Sequence, residues 1–184
     1  MDKPRLQQLY FEEIRPQLMK SLNLNNIMQV PEIKKIVLNV GVKEAVEDSK
    51  AIQAVMDGIT KIAGQKPVKT MARKSIAGFK IREDMSIGVR VTLRKEKMYE
   101  FLDRFINLAL PAVRDFQGLP TKMDGRGNYN IGIKEWIIFP EIEFGAYDKI
   151  YGLNVTIQTS ANTDDNALEL LKKFKMPFRK NEKK

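Results

Sequence analysis

A strictly alternating segment between Ser86 and Arg94 constrains the fold of this chain more than any other feature. Its odd positions are apolar and its even positions are small or polar. Side chains on a β-strand point alternately to two sides, so a period of two predicts a strand with one side packed on a core. The outward side would display Arg90, Thr92 and Arg94. This pattern favours a polar binding surface on the exposed side of the strand.

Positive charge is concentrated in two segments. The chain of 184 residues has a net charge of +9 at pH 7; residues 66–97 contribute +7 and residues 172–184 contribute +6, which leaves −4 elsewhere. A concentrated basic surface is typical of proteins that bind polyanions, although a solvated charged face is the alternative. Glycine, phenylalanine and strand-forming residues are interleaved with the basic residues of 66–97, and this favours binding.

The chain contains neither cysteine nor histidine, which narrows its possible chemistry. Disulfides, zinc sites of the usual ligand types, cysteine nucleophiles and histidine bases are excluded. We therefore expect no cofactor and no small-molecule substrate. The N-terminal segment lacks the apolar core of a secretory signal, and no apolar run approaches the roughly 18 residues of a membrane span. These features predict a cytoplasmic protein.

Helical and alternating patterns succeed one another along the chain. They predict helices over 4–21 (kinked at Pro16), from Ser49 as N-cap to Gly64, over 98–109, and from Asp164 onward. Strands are predicted at 33–42, 68–71, 86–94 and 153–160. Together they predict a single α+β domain over 1–184, with an antiparallel or mixed sheet and helices packed on one face. The opposite face would be polar and would display Asn39, Arg90, Thr92, Arg94, Asn154, Thr156 and Gln158.

Two basic segments lie outside these elements. The loop over 72–84 has few apolar anchors, so we expect it to be mobile in the free protein. Within it, Phe79 is either an anchor of the loop or a platform on which a base stacks. The tail over 175–184 is expected to be frayed.

Three alternative interpretations remain open. Carboxylates at Glu135, Glu141, Glu143 and Asp148 could form a catalytic or magnesium site, but their spacing matches no known motif. Phe174, Met176 and Phe178 could dock the basic tail on an anionic membrane. Gly125-Arg126-Gly127 is similar to the start of a dinucleotide fingerprint but lacks its third glycine. All three rank below RNA binding by the polar face of the sheet, whose hydrogen-bonding groups suit an RNA backbone and its 2′-hydroxyls.

Six segments carry a family resemblance: KIVLNVGV (35–42), GQKPVKTMARKSIAGFKIRE (64–83), VRVTLRKEKMYEFLDRF (89–105), RDFQGL (114–119), GRGNYNIGIKEWIIFPEI (125–142) and LLKKFKMPF (170–178). In this order they resemble the L-five family of bacterial large-subunit ribosomal proteins. The resemblance covers nearly the whole chain. It implies an RNA-binding ribosomal protein of the central protuberance, not an enzyme, with an antiparallel sheet that carries helices on one side.

The resemblance also implies partners and site residues. The polar side of the sheet would bind 5S rRNA and attach it to the large-subunit rRNA through Asn39, Gln65, Thr92, Arg90 and Arg94. The 72–84 loop would contact the peptidyl-site tRNA through Arg73, Lys74, Ser75, Gly78, Phe79, Lys80 and Arg82. An acidic region over 125–148 would bridge to small-subunit ribosomal protein thirteen through Glu135, Glu141, Glu143 and Asp148.

Overall fold

The computed structural model describes residues 3–46, 48–143 and 149–179. Its helices and strands are, in chain order, α1 (Arg5–Leu9), α2 (Arg15–Ser21), β1 (Ile33–Gly41), α3 (Ser49–Ala63), β2 (Val68–Met71), β3 (Ser86–Leu93), α4 (Lys95–Arg104), β4 (Asn128–Ile133), β5 (Leu153–Thr159) and α5 (Asp164–Lys173). The strands form one antiparallel sheet in the order β2-β3-β1-β5-β4. The predicted α+β class is confirmed.

The chain divides into two compact units. The first comprises the residues up to Ile36, Arg94–Ile131 and the residues from Thr156 onward, and the second comprises Val37–Leu93 and Gly132–Val155. The division cuts through β1, β4 and β5. The prediction of a single RNA-binding domain stays a prediction.

The first unit contains α1, α2, α4 and α5 around an aromatic cluster. Tyr10 stacks on Phe174 with ring centroids 6.0 Å apart, and Tyr99 lies 6.5 Å from Tyr10. A π-helical segment, Tyr10–Ile14, joins α1 to α2 immediately before Pro16. A proline lacks the backbone N–H that an α-helix interior needs, and the wider π turn accommodates that loss. The segment from Arg5 to Ser21 is therefore continuously helical.

The second unit has α3 packed on β2 and β3. The N-cap of α3 is Asp48, whose carboxylate accepts a hydrogen bond from Lys50 N at 2.8 Å, so the predicted N-cap at Ser49 is wrong by one residue. The helix ends at Gly64, which adopts a left-handed conformation at φ 61°. That conformation favours glycine, as the sequence pattern predicted. Nearby, Trp136 is fully buried and packs edge-on against Tyr151.

Candidate nucleic-acid interface

Strand β3 exposes the side chains that its alternating pattern predicted. Val89, Val91 and Leu93 are buried, whereas Arg90 is exposed and Thr92 is half-buried. Helix α3 covers the apolar side, so the side with Arg90 and Thr92 is open to a partner. Apolar burial fixes the strand's orientation because a slip of one residue would move every side chain to the other face.

The adjacent strand β1 continues this polar surface. Asn39 is half-buried between the fully buried Leu38 and Val40. Val42 N donates a hydrogen bond to Ile87 O at 3.0 Å. Following that antiparallel register along the pair, we infer that Asn39 lies across from Arg90. An amide and a guanidinium are thereby brought together on neighbouring strands.

Gln65 joins the same surface from the end of α3. Its side-chain Nε2 donates a hydrogen bond to the backbone carbonyl of Thr92 at 3.4 Å, and its side chain is half-buried. Two residues that lie 27 positions apart in the chain are therefore in direct contact. This contact orients the Gln65 amide and leaves its carbonyl oxygen and the Thr92 hydroxyl for a ligand.

Strand β2 extends the surface on its other side. Val68 pairs with Arg90 and Thr70 pairs with Gly88 in the antiparallel register. A Cβ at Gly88 would lie 2.8 Å from both Thr70 Oγ1 and Val40 O, so only glycine lets the three strands approach closely here. Val68, which is 70% exposed, lies beside Arg90 on the open side. We did not predict Val68 and Thr70 as part of the interface, although the strand pairing would have placed them there.

Arg94, the fifth residue expected on this surface, belongs to the first unit. It follows β3 and occupies the N-cap position of α4 without a capping hydrogen bond from its side chain. Its side chain is exposed. We define the sheet surface as Asn39, Gln65, Thr92 and Arg90, all of which belong to the second unit. The 5S rRNA contact expected of Arg94 stays a prediction.

The basic loop over 72–84 folds back on itself as a small hairpin. Ala72 N bonds to Met85 O, and Ile76 and Ile81 exchange two backbone hydrogen bonds at 2.9 and 3.2 Å. Ser75 Oγ accepts a hydrogen bond from Glu83 N at 2.9 Å. The hairpin therefore has internal order that the absence of a helical pattern did not predict. Its mobility in the free protein stays a prediction.

The hairpin places all its predicted contact residues in solvent. The exposed residues are Arg73, Lys74, Ser75, Gly78, Phe79, Lys80 and Arg82. Phe79 is 70% exposed, so it does not anchor the loop in a core. An exposed aromatic ring among cations suits base stacking next to phosphate.

The acidic residues expected at the protein bridge belong to the segment of the second unit that starts at Gly132. Glu135 and Glu143 are exposed and Glu141 is half-buried, while Asp148 lies outside the described residues. Over residues 3–46, 48–143 and 149–179, no three acidic side chains gather closely enough to hold a metal ion. The arrangement gives no support to the magnesium-site alternative.

Residues 175–179 of the tail are packed rather than frayed, and residues 180–184 lie outside the described residues. Leu119 N donates to Pro177 O at 2.8 Å, and Arg179 N donates to Leu119 O at 2.9 Å. Phe174 and Met176 are buried, and Phe178 packs edge-on against Tyr129. These apolar side chains serve the fold and are not available to insert into a bilayer. No helix in the described part of the chain is long and apolar enough to cross a membrane.

The loop with Gly125, Arg126 and Gly127 is occupied by a carboxylate of the protein itself. Gly125 N and Gly127 N donate to the two oxygens of Asp164 at 3.0 and 2.9 Å. The backbone N–H groups that a dinucleotide phosphate would need are thus already bonded. The loop leads into β4, a strand that we did not predict. Its sequence does alternate, because Tyr129, Ile131 and Ile133 are buried and the residues between them are exposed.

Comparisons with known proteins identify the family of the chain. The family model "Ribosomal protein L5" matches residues 26–82, and the model of the C-terminal part of the same family matches residues 86–178. The chain is similar to the large ribosomal subunit protein uL5 of Chromobacterium violaceum, with 57% identity over 95% of this chain and 98% of the relative. The uL5 proteins of Geobacter sulfurreducens (57% identity; 95% and 98% coverage) and Leptospira biflexa (55%; 96% and 97%) are similar to the same extent.

These relatives are structural proteins of bacterial ribosomes rather than enzymes, and they work in the cytoplasm in association with rRNA. Both family models together cover most of the described residues, including the sheet surface and residues 72–82 of the hairpin. The chain therefore belongs to the ribosomal protein L5 family and is a constituent of the large ribosomal subunit.

Proposed function

We propose that the chain binds 5S rRNA through the sheet surface and attaches it to the large-subunit rRNA in the central protuberance. One observation carries this proposal: the Gln65 amide contacts Thr92 beside the exposed Arg90. These residues come from separate parts of the chain and supply a cation, an amide and a hydroxyl on one side of a rigid sheet. Backbone phosphates and 2′-hydroxyls of a folded RNA need this combination of groups.

The two kinds of group in the sheet surface would contribute differently. Arg90 neutralises phosphate charge and gives affinity that weakens with salt. Asn39, Gln65 and Thr92 are neutral, so their contribution is directional hydrogen bonding that depends on the shape of the RNA. Because α3 and the buried apolar side hold the strands, the surface is organised before RNA arrives. Such preorganisation lowers the entropic cost of binding.

The hairpin would contact the peptidyl-site tRNA as a second RNA site. Its cations Arg73, Lys74, Lys80 and Arg82 are exposed. The sheet surface is formed from strands and the end of α3, whereas the hairpin residues 73–82 form none of it, so two RNA partners can bind separately. We take the second partner to be the elbow of the peptidyl-site tRNA because the family resemblance points to it.

The acidic residues would form the bridge to small-subunit protein thirteen. Glu135 and Glu143 are exposed carboxylates, which repel phosphate and attract a basic protein. Photo-crosslinkers placed at positions 135 and 143 in assembled ribosomes should label a basic small-subunit protein. Labelling of RNA at these positions instead would contradict this part of the proposal.

The first proposal is tested by identifying the RNA that accompanies the protein. The tagged full chain is purified from bacterial cells at low salt and the bound RNA is sequenced. The Arg90→Glu variant puts a carboxylate on the sheet surface, and Lys61→Glu makes the same charge change on the exposed side of α3. We expect 5S rRNA to be enriched with the wild type and with Lys61→Glu, and lost with Arg90→Glu. Equal enrichment with all three proteins would refute the assignment of the surface.

A further inference from the structure

An open groove of about 900 Å³ lies beside the hairpin, entirely within the second unit. Its floor is apolar and is formed where β1 ends and β3 begins, by Val42 and Ile87, together with Ile81 of the hairpin. One wall is the short 3₁₀ turn Lys43–Val46, and the other is the tip of the hairpin at Gly78–Lys80. The volume is in the range of sites that hold one small organic group.

Three lysines and one glutamate line this groove. Lys149 Nζ lies 3.4 Å from Glu44 Oε1 and neutralises it. A hydrogen bond from its own backbone N–H and the neighbouring Lys149 lower the pKa of Glu44, so the carboxylate is ionised at neutral pH. Lys43 and Lys80 therefore remain as an excess of positive charge at the two walls. An apolar floor between two cations suits a ligand that is flat and apolar at one end and anionic at the other.

We propose that this groove holds a single unstacked nucleotide of an RNA strand. The base would lie on the apolar floor and against Phe79, whose ring is 70% exposed at the groove, and the flanking phosphates would contact Lys43 and Lys80. Stacking on an aromatic ring beside cations is how proteins bind single-stranded RNA. The inference rests on the proposed function only in taking the partner to be RNA. It adds Lys43, Val42 and Ile87, which belong neither to the sheet surface nor to the hairpin.

Two glycines allow the groove to be filled without removing any charge. An added Cβ at Gly41 or at Gly78 meets no atom within 4 Å, so a side chain there has space. Gly41 ends β1, and neither glycine has a positive φ. Gly41 is itself one of the lining residues, so Gly41→Leu adds an apolar side chain at the edge of the groove without backbone strain. A loss of binding in this variant cannot come from weaker electrostatics.

The test measures binding of a single-stranded RNA hexamer, oligo(A) with 2-aminopurine at one central position, to the full chain at fixed salt. Fluorescence of 2-aminopurine reports on its stacking. We expect Gly41→Leu and Phe79→Ala each to weaken binding by about 5- to 100-fold, the range of one lost base–aromatic stack. Lys43→Gln should weaken it too, whereas Lys61→Gln on α3 should not. Trp136 fluorescence verifies that each variant is folded, because this side chain is buried in the same unit.

Three outcomes would overturn the inference. The first is unchanged hexamer binding in Gly41→Leu and in Phe79→Ala, and the second is an equal loss of binding in Lys43→Gln and Lys61→Gln. The third is an acidic, leucine-containing peptide that binds the wild type more tightly than the hexamer does and loses that binding in Gly41→Leu, which makes the groove a protein site. Binding of 5S rRNA is measured on the same proteins. If the wild type binds 5S rRNA but the hexamer results contradict the groove, only the groove assignment is wrong. If the wild type does not bind 5S rRNA, the proposed function is wrong.

Discussion

Replacing Asp164 by alanine should destabilise the first unit because it frees two backbone donors at once. The carboxylate accepts Gly125 N at 3.0 Å and Gly127 N at 2.9 Å. The Gly125 N–H is exposed and can donate its hydrogen bond to water instead, at small cost, whereas the Gly127 N–H is half-buried. A half-buried donor left without its charged partner costs about 1–2 kcal/mol, and the exposed one adds about 0.5–1 kcal/mol. We expect a total loss of about 1.5–3 kcal/mol.

The neighbouring Asp165 is a matched control. It has the same charge in the same first turn of α5, but its side chain is exposed. Asp165→Ala should lose only the interaction with the helix dipole, about 0.3–1 kcal/mol. Urea unfolding followed by circular dichroism gives both free energies. If Asp164→Ala lies within about 0.5 kcal/mol of Asp165→Ala, the two hydrogen bonds do not stabilise the loop and the reasoning is refuted.

Three further predictions concern pH, salt and the hairpin. Burial raises the pKa of Tyr10 and of Tyr129 from 10.0 to about 12. Their contribution to the free energy of unfolding should therefore be fully present below pH 10 and be lost as the pH rises towards 12. A titration of these tyrosines in the folded protein, followed by absorbance, with a midpoint near pH 10 would contradict this. Ending the chain after Arg179 removes three lysines and one glutamate and leaves the packed residues 175–179 intact. The slope of log binding constant against log salt concentration for 5S rRNA should become shallower by about 1–3, because fewer phosphates are neutralised. An unchanged slope would exclude a role for these lysines. Deleting residues 75–80 should change 5S rRNA affinity by less than about threefold while weakening tRNA retention in assembled ribosomes, and abolition of 5S rRNA binding in a folded protein would refute the two-site proposal.

The elements with strong periodicity were predictable from the sequence. The alternation around Val89 and Val91 located β3 and its open side, because burial of one face determines the register of a strand. Gly64 marked the end of α3, since a left-handed residue after a helix favours glycine. The polar residue Asn39 was also predicted correctly as outward, from its position between Leu38 and Val40.

Other features depend on contacts between distant residues, and the local pattern did not contain them. The tail looked frayed because its composition is basic, but pairing with Leu119 holds residues 177–179 in place. The groove is invisible in the sequence because Val42, Lys80 and Lys149 come from three separate segments. The π-helical segments at Tyr10–Ile14 and Phe105–Ala109 keep an apolar helical pattern, so periodicity could not distinguish them from α-helix.

The central claim is that neutral side chains of the sheet surface recognise 5S rRNA. The direct measurement is the Kd of 5S rRNA at fixed salt for the double variant Asn39→Ala, Thr92→Ala. Its control is Gln53→Ala, Thr60→Ala, which removes an amide and a hydroxyl from α3 in the same unit. Neither pair changes the net charge, so phosphate attraction stays constant. The account predicts that the sheet variant weakens binding by at least about tenfold while the α3 variant binds as the wild type does. A Kd for the sheet variant within about twofold of the wild-type value would contradict the account.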